Sequence, residues 1–230
     1  MYNFLHFNNL IYRKQSGFLL GHSTTYQLID IYNQICKAFD TTCMVFCDIS
    51  KTLDRVWHKG LIHKVHQYSI NKNLLNWLNN YLCNRTQTGF VWSDFSSPKP
   101  LKTGVPQGSV FGPLLFLIYV NDIADSLLSV TRLFADDISL AISSKDITHI
   151  ESTLNKDLNE LNLGSKQWLI NFNPAKTEVL FLCLARRNKP NLIFNDTPFS
   201  FVDHHKHLDV TFSSDGPWHK HITNIASTAS

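Results

Sequence analysis

The sequence predicts an α+β fold. Short β-favouring runs and amphipathic helical stretches mix along the chain without the strict alternation of a βαβ protein. The 230 residues are 43% hydrophobic, enough to fill a core. Two β-type runs also flank an Asp-Asp pair at the spacing of a tight hairpin.

Composition narrows the function. With 21 Lys and Arg against 18 Asp and Glu, no basic tail or run announces nucleic acid, a pI near 8.5 does not oppose it, and net charge alone decides nothing. The five cysteines (Cys36, Cys43, Cys47, Cys83, Cys183) are odd in number and contain no CxxC pair, so they read as free thiols of a reducing compartment. The apolar stretch from Val110 to Val120 is interrupted by Gly112-Pro113 and falls well short of the ~20 residues a membrane helix needs. No membrane partner is expected, and the N-terminus lacks the basic-then-apolar order of a secretory signal.

A helix is expected from Ser23 onward, capped by Ser23 or Thr24, with Leu28, Tyr32, Ile35 and Phe39 on one face. Cys43 to Asp48 is a β run that ends in an acid, and a helical stretch follows from about Lys59 to Tyr68. Thr86 to Trp92 reads as a strand, Pro98 to Val105 as an extended connector, and Gly104-Val-Pro-Gln-Gly-Ser109 as a turn before a buried helix reaching about Leu128. Val130 to Ala135 and Ile138 to Ile142 form a hairpin with Asp136-Asp137 as its two-residue loop. From Asp146, the positions Ile147, Ile150, Leu154, Leu158, Leu161, Ser165 and Trp168 step by three and four, giving an amphipathic helix able to cover a sheet. After Asn173-Pro174, short strands are expected at Glu178 to Cys183, Leu192 to Phe194, Phe199 to Val202 and His207 to Phe212.

The chemistry lies in three carboxylates. Asp48 ends one β run and Asp136-Asp137 close another 88 residues later (136 − 48), so adjacent strands can bring them together. Nucleotidyl transfer needs charge neutralised on the attacking and leaving oxygens, commonly by two Mg²⁺ ions about 3.5–4 Å apart. Hard Mg²⁺ takes oxygen ligands and keeps several waters, so three Asp side chains plus substrate phosphates suffice. An Asp-Asp pair alone is more often just a good turn. Turn chemistry explains neither Phe134-Ala135 before the pair nor the apolar flanks, where paired charges repel unless a cation joins them.

In order along the chain, six strings resemble those of reverse transcriptases of LINE-type, jockey-like non-LTR retrotransposons. Gln15-Ser-Gly-Phe18 with Ser23-Thr24 and Gln27-Leu28 resembles the fingers-to-palm segment, and Asp48-Ile-Ser-Lys51 through Asp54-Arg-Val-Trp-His58 the first catalytic motif. Gly104 to Ser109, with Gly112-Pro-Leu-Leu-Phe116 and Tyr119-Val-Asn-Asp122, resembles the template- and nucleotide-binding turn and its helix. Phe134-Ala-Asp-Asp137 resembles the metal-binding hairpin; Trp168, Asn173 and Lys176-Thr177 resemble the next motif; Lys206-His-Leu208, Trp218 and His221-Ile222 resemble the primer grip and its sequel.

The resemblance implies a truncated reverse transcriptase: a ferredoxin-like antiparallel palm with partial fingers and little or no thumb. Residues 1–40 would be a remnant of the fingers, 41–185 the palm, and 186–230 the primer-grip region and start of the thumb connection. It also implies RNA-directed DNA synthesis on an RNA template from a DNA primer and dNTPs, in the cytoplasm or the nucleus. Asp48, Asp136 and Asp137 would hold Mg²⁺, or Mn²⁺ in its place. Gln107 and Gly108 would lie beside the incoming nucleotide and template, and Leu53 would occupy the sugar-gate position; Lys51 and Arg55 would meet phosphates on this resemblance and are ordinary solvated charges otherwise. Lys176 is open to two readings, a general acid for the leaving pyrophosphate and a solvated surface lysine.

Three positions depart from the family. Leu53 replaces an aromatic residue, Leu19 a basic one in the fingers, and Asp209 a glycine after the primer-grip leucine. They keep a second reading open, a catalytically inactive remnant or non-specific RNA-binding fragment. The cluster His204, His205, His207, His219 and His221 reads as solvated surface rather than a zinc site. Trp77, Tyr81, Phe90 and Trp92 read mostly as core.

Overall fold

The structure, a computed structural model, describes residues 1–38, 41–173, 176–183, 187–216 and 218–229. Helix α1 (Tyr2–Phe7) precedes α2 (Thr24–Ala38), whose first turn is capped by Ser23 Oγ accepting the Tyr26 amide at 3.2 Å. Strand β1 (Thr41–Asp48) is buried at every position but its last, which explains its unbroken apolar run. Next come α3 (His58–Gln67) and α4 (Lys72–Leu82), the latter capped by Asn71. Helix α4 escaped the sequence reading because asparagines break its apolar stripe and only Leu78 and Leu82 are buried.

The single strand expected over Thr86 to Trp92 is instead two two-residue strands, β2 (Thr86–Gln87) and β3 (Phe90–Val91), which pair with β5 (Lys99–Pro100) and β4 (Asp94–Phe95) further along the chain. The chain turns back at Trp92-Ser93, where φ is 51° and 75°, the paired positive values of a type I′ hairpin. Helix α5 (Phe111–Val120) stops before the expected Leu128, and Asn121 beyond it bonds through its side chain to the backbone of Leu10 and Tyr12. Then follow β6 (Val130–Phe134), β7 (Asp137–Ser143), α6 (Ile147–Trp168), β8 (Glu178–Cys183), β9 (Ile193–Phe194), β10 (Thr197–Pro198), β11 (Phe201–Val202), β12 (His204–His207), β13 (Val210–Ser213) and α7 (His219–Ala229).

The run from His207 to Phe212 is thus two strands, not one. Its turn falls at Leu208-Asp209, with φ of 47° and 68°. Asp209 therefore occupies the left-handed region that glycine enters without penalty, at a cost of about 1 kcal/mol. Its ion pair with Lys206 (2.8 Å) is solvent-exposed on both sides and offsets little of that. Asp209→Gly is expected to stabilise the protein by about 1 kcal/mol, read as a higher urea midpoint at unchanged m-value; an unshifted midpoint would mean the Lys206 pair compensates.

The chain divides into two compact units. One comprises Met1–Arg13, Lys51–Asp122 and Lys166–Ile170; the other, Lys14–Ser50, Ile123–Ser165 and Asn171–Ser230. In the first, α3 packs against α4 and α5. The buried Lys64 ammonium lies 3.8 Å from the centre of the Trp168 ring, donates to the Tyr119 carbonyl and pairs with Asp122.

The second unit is built on a five-stranded sheet of order β11-β8-β1-β7-β6, antiparallel except for β11 beside β8. On one face Met44, Phe46, Ala141, Leu180 and Leu182 form a core with Ile31 of α2 and Phe212 of β13. Leu28 and Ile35 join that core as expected. Tyr32 is exposed and Ile31 takes its place, while Phe39 lies outside the described residues. The alternate positions Cys43, Val45, Leu140 and Val179 are also fully buried, as is the predicted α6 stripe Ile150, Leu154, Leu158 and Leu161. Burial pushes the thiols of Cys43 and Cys47 up to about 12, so both behave as small hydrophobes.

Candidate active site

Asp48 and Asp137 lie directly opposite each other at the end of the β1–β7 ladder. Opposed residues of an antiparallel pair hold their Cβ atoms about 4.5–5.5 Å apart on one face, and like charges there repel. The residues behind them are buried on both faces of the sheet, so a slip of one residue would exchange the side chains fitted to the two packed faces, and close packing on each side holds this register. Phe134 pairs with Asp137, so the hairpin loop is Ala135-Asp136, one residue earlier than the sequence indicated. Ala135 has φ of 56°, the positive value that a II′ turn carries at its first loop position.

The shift has a cause outside the hairpin. Gln15, 2% exposed, accepts the Ala135 amide at 3.1 Å and the Gly17 amide at 2.7 Å through the same oxygen. The Asp136 carbonyl in turn accepts the Ile49 amide at 3.3 Å, which ties the loop to the end of β1. A Cβ on Gly17 would sit 2.1 Å from the Ala135 nitrogen. Gly17→Ala is therefore expected to destabilise the protein by about 2–3 kcal/mol, as overpacking against backbone does, and to displace the loop that bears Asp136. Thermal melting checks the first effect, and a wild-type melting curve would remove Gln15-Ser-Gly17 as the support of this loop.

The segment after α6 closes over the end of β1. The Asn173 amide donates to the Asp48 carbonyl at 2.8 Å, and Lys176 places Nζ 3.2 Å from Asp48 Oδ1. Lys176 is largely solvent-exposed, but its ammonium is directed at the carboxylate rather than at bulk water alone. Burial first, then the charges of Asp136 and Asp48, raise the Asp137 carboxyl to about 6, with Lys176 pulling the other way.

A cavity of about 480 Å³ opens beside these groups, lined by Asp48, Asp137, Lys176, Glu178, His205 and His207, among others. Two of the histidines expected at the surface, His205 and His207, are drawn inward. His205 stacks on Phe46 with centroids 3.8 Å apart and meets Glu178 at 2.6 Å. His207 is 4% exposed and its Nε2 is buried without a partner among the described residues. Their partners, Phe46 and Glu178, come from strands distant in sequence, so no local signal revealed the burial.

The donor set suits a hard divalent cation, being all carboxylate oxygen with mutual repulsion that a cation would relieve. Among the described residues no group of three or more His, Cys, Asp or Glu side chains converges enough to hold a metal by itself. Waters and substrate phosphates would have to complete any coordination.

Lys51, Leu53, Gln107 and Gly108 fall in the other unit. There Gln107 Nε2 donates to Asp54 Oδ1 at 2.8 Å, and the Val105 amide donates to the Leu53 carbonyl at 2.7 Å. Gly104, with φ of 90°, lies so close to Asp54 that a Cβ would meet its carbonyl oxygen at 2.8 Å. Gly108 has φ of 76° and no close neighbour, so its requirement is conformational. Lys51 and Arg55 are exposed. The core reading fails for Trp77, Phe90 and Trp92, which are 44%, 61% and 93% exposed, and the half-buried Tyr81 stacks on Trp77 at 5.2 Å.

An antiparallel sheet with acids at the end of its central strand and at the neighbouring hairpin is a palm of the polymerase type. The chain belongs to the reverse transcriptase (RNA-dependent DNA polymerase) family, whose profile matches residues 2–212. It is 36% identical over 180 residues to the probable RNA-directed DNA polymerase from transposon BS of Drosophila melanogaster, covering 71% of this chain and 19% of that protein. It is 29% identical over 222 residues to the RNA-directed DNA polymerase from mobile element jockey of the same organism, covering 92% and 24%. These relatives bear out the resemblance to the LINE-type, jockey-like group, and the chain spans a quarter or less of their length. Among solved structures, apo telomerase from Candida tropicalis truncated from its C-terminal domain superposes with a TM-score of 0.62 at 14% identity, over 93% of this chain and 42% of that one. Telomerase from Candida albicans in complex with a TWJ fragment of telomeric RNA gives 0.59 at 12%, over 94% and 38%. At such identities the likeness is one of fold. No helix among the described residues is long and apolar enough to cross a membrane.

Proposed function

We propose that this chain carries out RNA-templated DNA synthesis, adding dNTPs to a DNA primer 3′-OH at Asp48, Asp136 and Asp137. The observation that carries the reading is the facing pair Asp48 and Asp137 beside the Asp136 loop, an arrangement of like charge that calls for a cation. Mg²⁺, or Mn²⁺ in its place, would be held by these three residues and would supply charge neutralisation to the transferring phosphoryl group. Lys176 binds Asp48 between turnovers and donates a proton to the leaving pyrophosphate, a role its exposed ammonium permits. Gln107 and Gly108 contact the nucleotide and template, Lys51 meets phosphate, and Leu53 replaces the sugar gate. We read residues 1–40 as part of the fingers, 41–185 as the palm and 186–230 as the primer-grip region.

The competing reading is a palm that has outlived its chemistry, and one observation favours it: Asp209 holds a left-handed conformation in the primer-grip turn where the family has glycine. Primer extension on poly(rA)/oligo(dT) with Mg²⁺ or Mn²⁺ decides between them. Metal-dependent dTTP incorporation is expected; a folded protein without incorporation would leave the remnant reading.

A further inference from the structure

We propose that a second cavity, at the opposite end of the palm sheet, binds the sugar-phosphate backbone of a nucleic-acid strand. It measures about 640 Å³ and is lined by Lys14, Lys37, Arg132 and Lys145, with Asp30 the one acid among the described lining residues. Asp30 is already engaged by two of these cations: Arg132 Nε donates to it at 2.5 Å and Lys14 Nζ at 3.3 Å. The Arg132 side chain is only 4% exposed and its Nη1 donates to Gln34 at 2.7 Å, so the guanidinium is held in place before any ligand arrives. The described lining residues carry four cations against one anion, a surplus of three positive charges.

These features fit phosphate oxygens: a surplus of positive charge around a guanidinium already fixed in place, with lysines at the cavity wall to meet the ligand. The lysines reach the cavity from three segments, before α2, in its last turn and just after β7, so they can meet more than one phosphate of a strand. The site is separate from the carboxylates. Strand β7 runs from Asp137 at one end to Ser143 at this cavity, six residue steps or about 20 Å at the rise of a β-strand.

The inference rests on nucleic acid being the substrate class proposed above, yet binding can be measured without catalysis. The test is the salt dependence of binding a fluorescent single-stranded RNA in EDTA, for the wild type, Lys37→Gln/Lys145→Gln and the exposed-lysine control Lys156→Gln/Lys166→Gln. Loss of two phosphate contacts lowers the log–log salt slope by about 1.4, while the control is expected to keep the wild-type slope. An unchanged slope in Lys37→Gln/Lys145→Gln, or an equal drop in the control, overturns the proposal. So does a wild type whose cavity takes inorganic phosphate while its RNA slope ignores both lysines. Primer extension by the same proteins reports the carboxylate site independently, so either reading can fail without the other.

Discussion

Asp137→Asn is expected to cut metal-dependent incorporation by at least about a hundredfold, the scale of removing one group that stabilises transition-state charge, while making the metal-free protein more stable. The two effects have one origin. Asp137 faces Asp48 across the ladder and follows Asp136, and burial with these charges lifts its carboxyl to about 6. Since the folded pKa is raised, the folded state binds the extra proton, and stability is greatest below the unfolded pKa of 3.8 and falls as pH rises through about 6. At neutral pH this costs on the order of 1–2 kcal/mol after discounting for partial solvent exposure. Asparagine keeps the shape and removes the charge. Urea unfolding in EDTA at neutral pH should place the variant above the wild type; a less stable variant would mean that Asp137 is held by favourable hydrogen bonds rather than crowded.

His207→Phe is expected to protect the protein from acid, and the sign is opposite. Burial, then the nearby charges of His205 and Arg132, depress His207 to about 3. The folded state refuses a proton that the unfolded chain accepts near 6.5, so this stability is complete above 6.5 and is lost as pH falls toward 3. The loss amounts to up to about 4 kcal/mol. Phenylalanine cannot be protonated and removes the unpaired Nε2 beside Phe46. Between pH 4 and 6 the wild-type histidine and Asp137 act against each other, so a single pH profile is a poor probe of either. The difference between His207→Phe and wild type should widen steadily from pH 7 to pH 4.5 in urea unfolding, whereas parallel curves would show that the ring is protonated without cost.

The elements that depend on periodicity were legible from the chain. The α6 stripe from Ile150 to Leu161, the β run ending at Asp48 and the β run over Ile138 to Ile142 form as local pattern dictates, because burial on a sheet or helix face imposes the spacing. What escaped depended on distant partners. The hairpin loop is set back by one residue because Gln15, 120 positions away, grips the Ala135 amide. The histidines are drawn inside because Phe46 and Glu178 of β1 and β8 receive them. The Leu208-Asp209 turn was hidden because Leu208, a bulky apolar residue, is an unusual occupant of positive φ, although Asp209 is not. Gln15-Ser-Gly17 was visible as a string, and its glycine beside a buried amide was the available sign that this segment supports the acidic loop.

The most direct measurement is Mn²⁺ binding, followed by electron paramagnetic resonance, to the wild type and Asp48→Asn with primer–template and a non-incorporable nucleotide present. If Asp48, Asp136 and Asp137 form the metal-dependent centre, the wild type binds Mn²⁺ and Asp48→Asn loses at least about tenfold in affinity, the scale on which altering a metal-site group acts. Equal binding by the two proteins would contradict that account of the carboxylates.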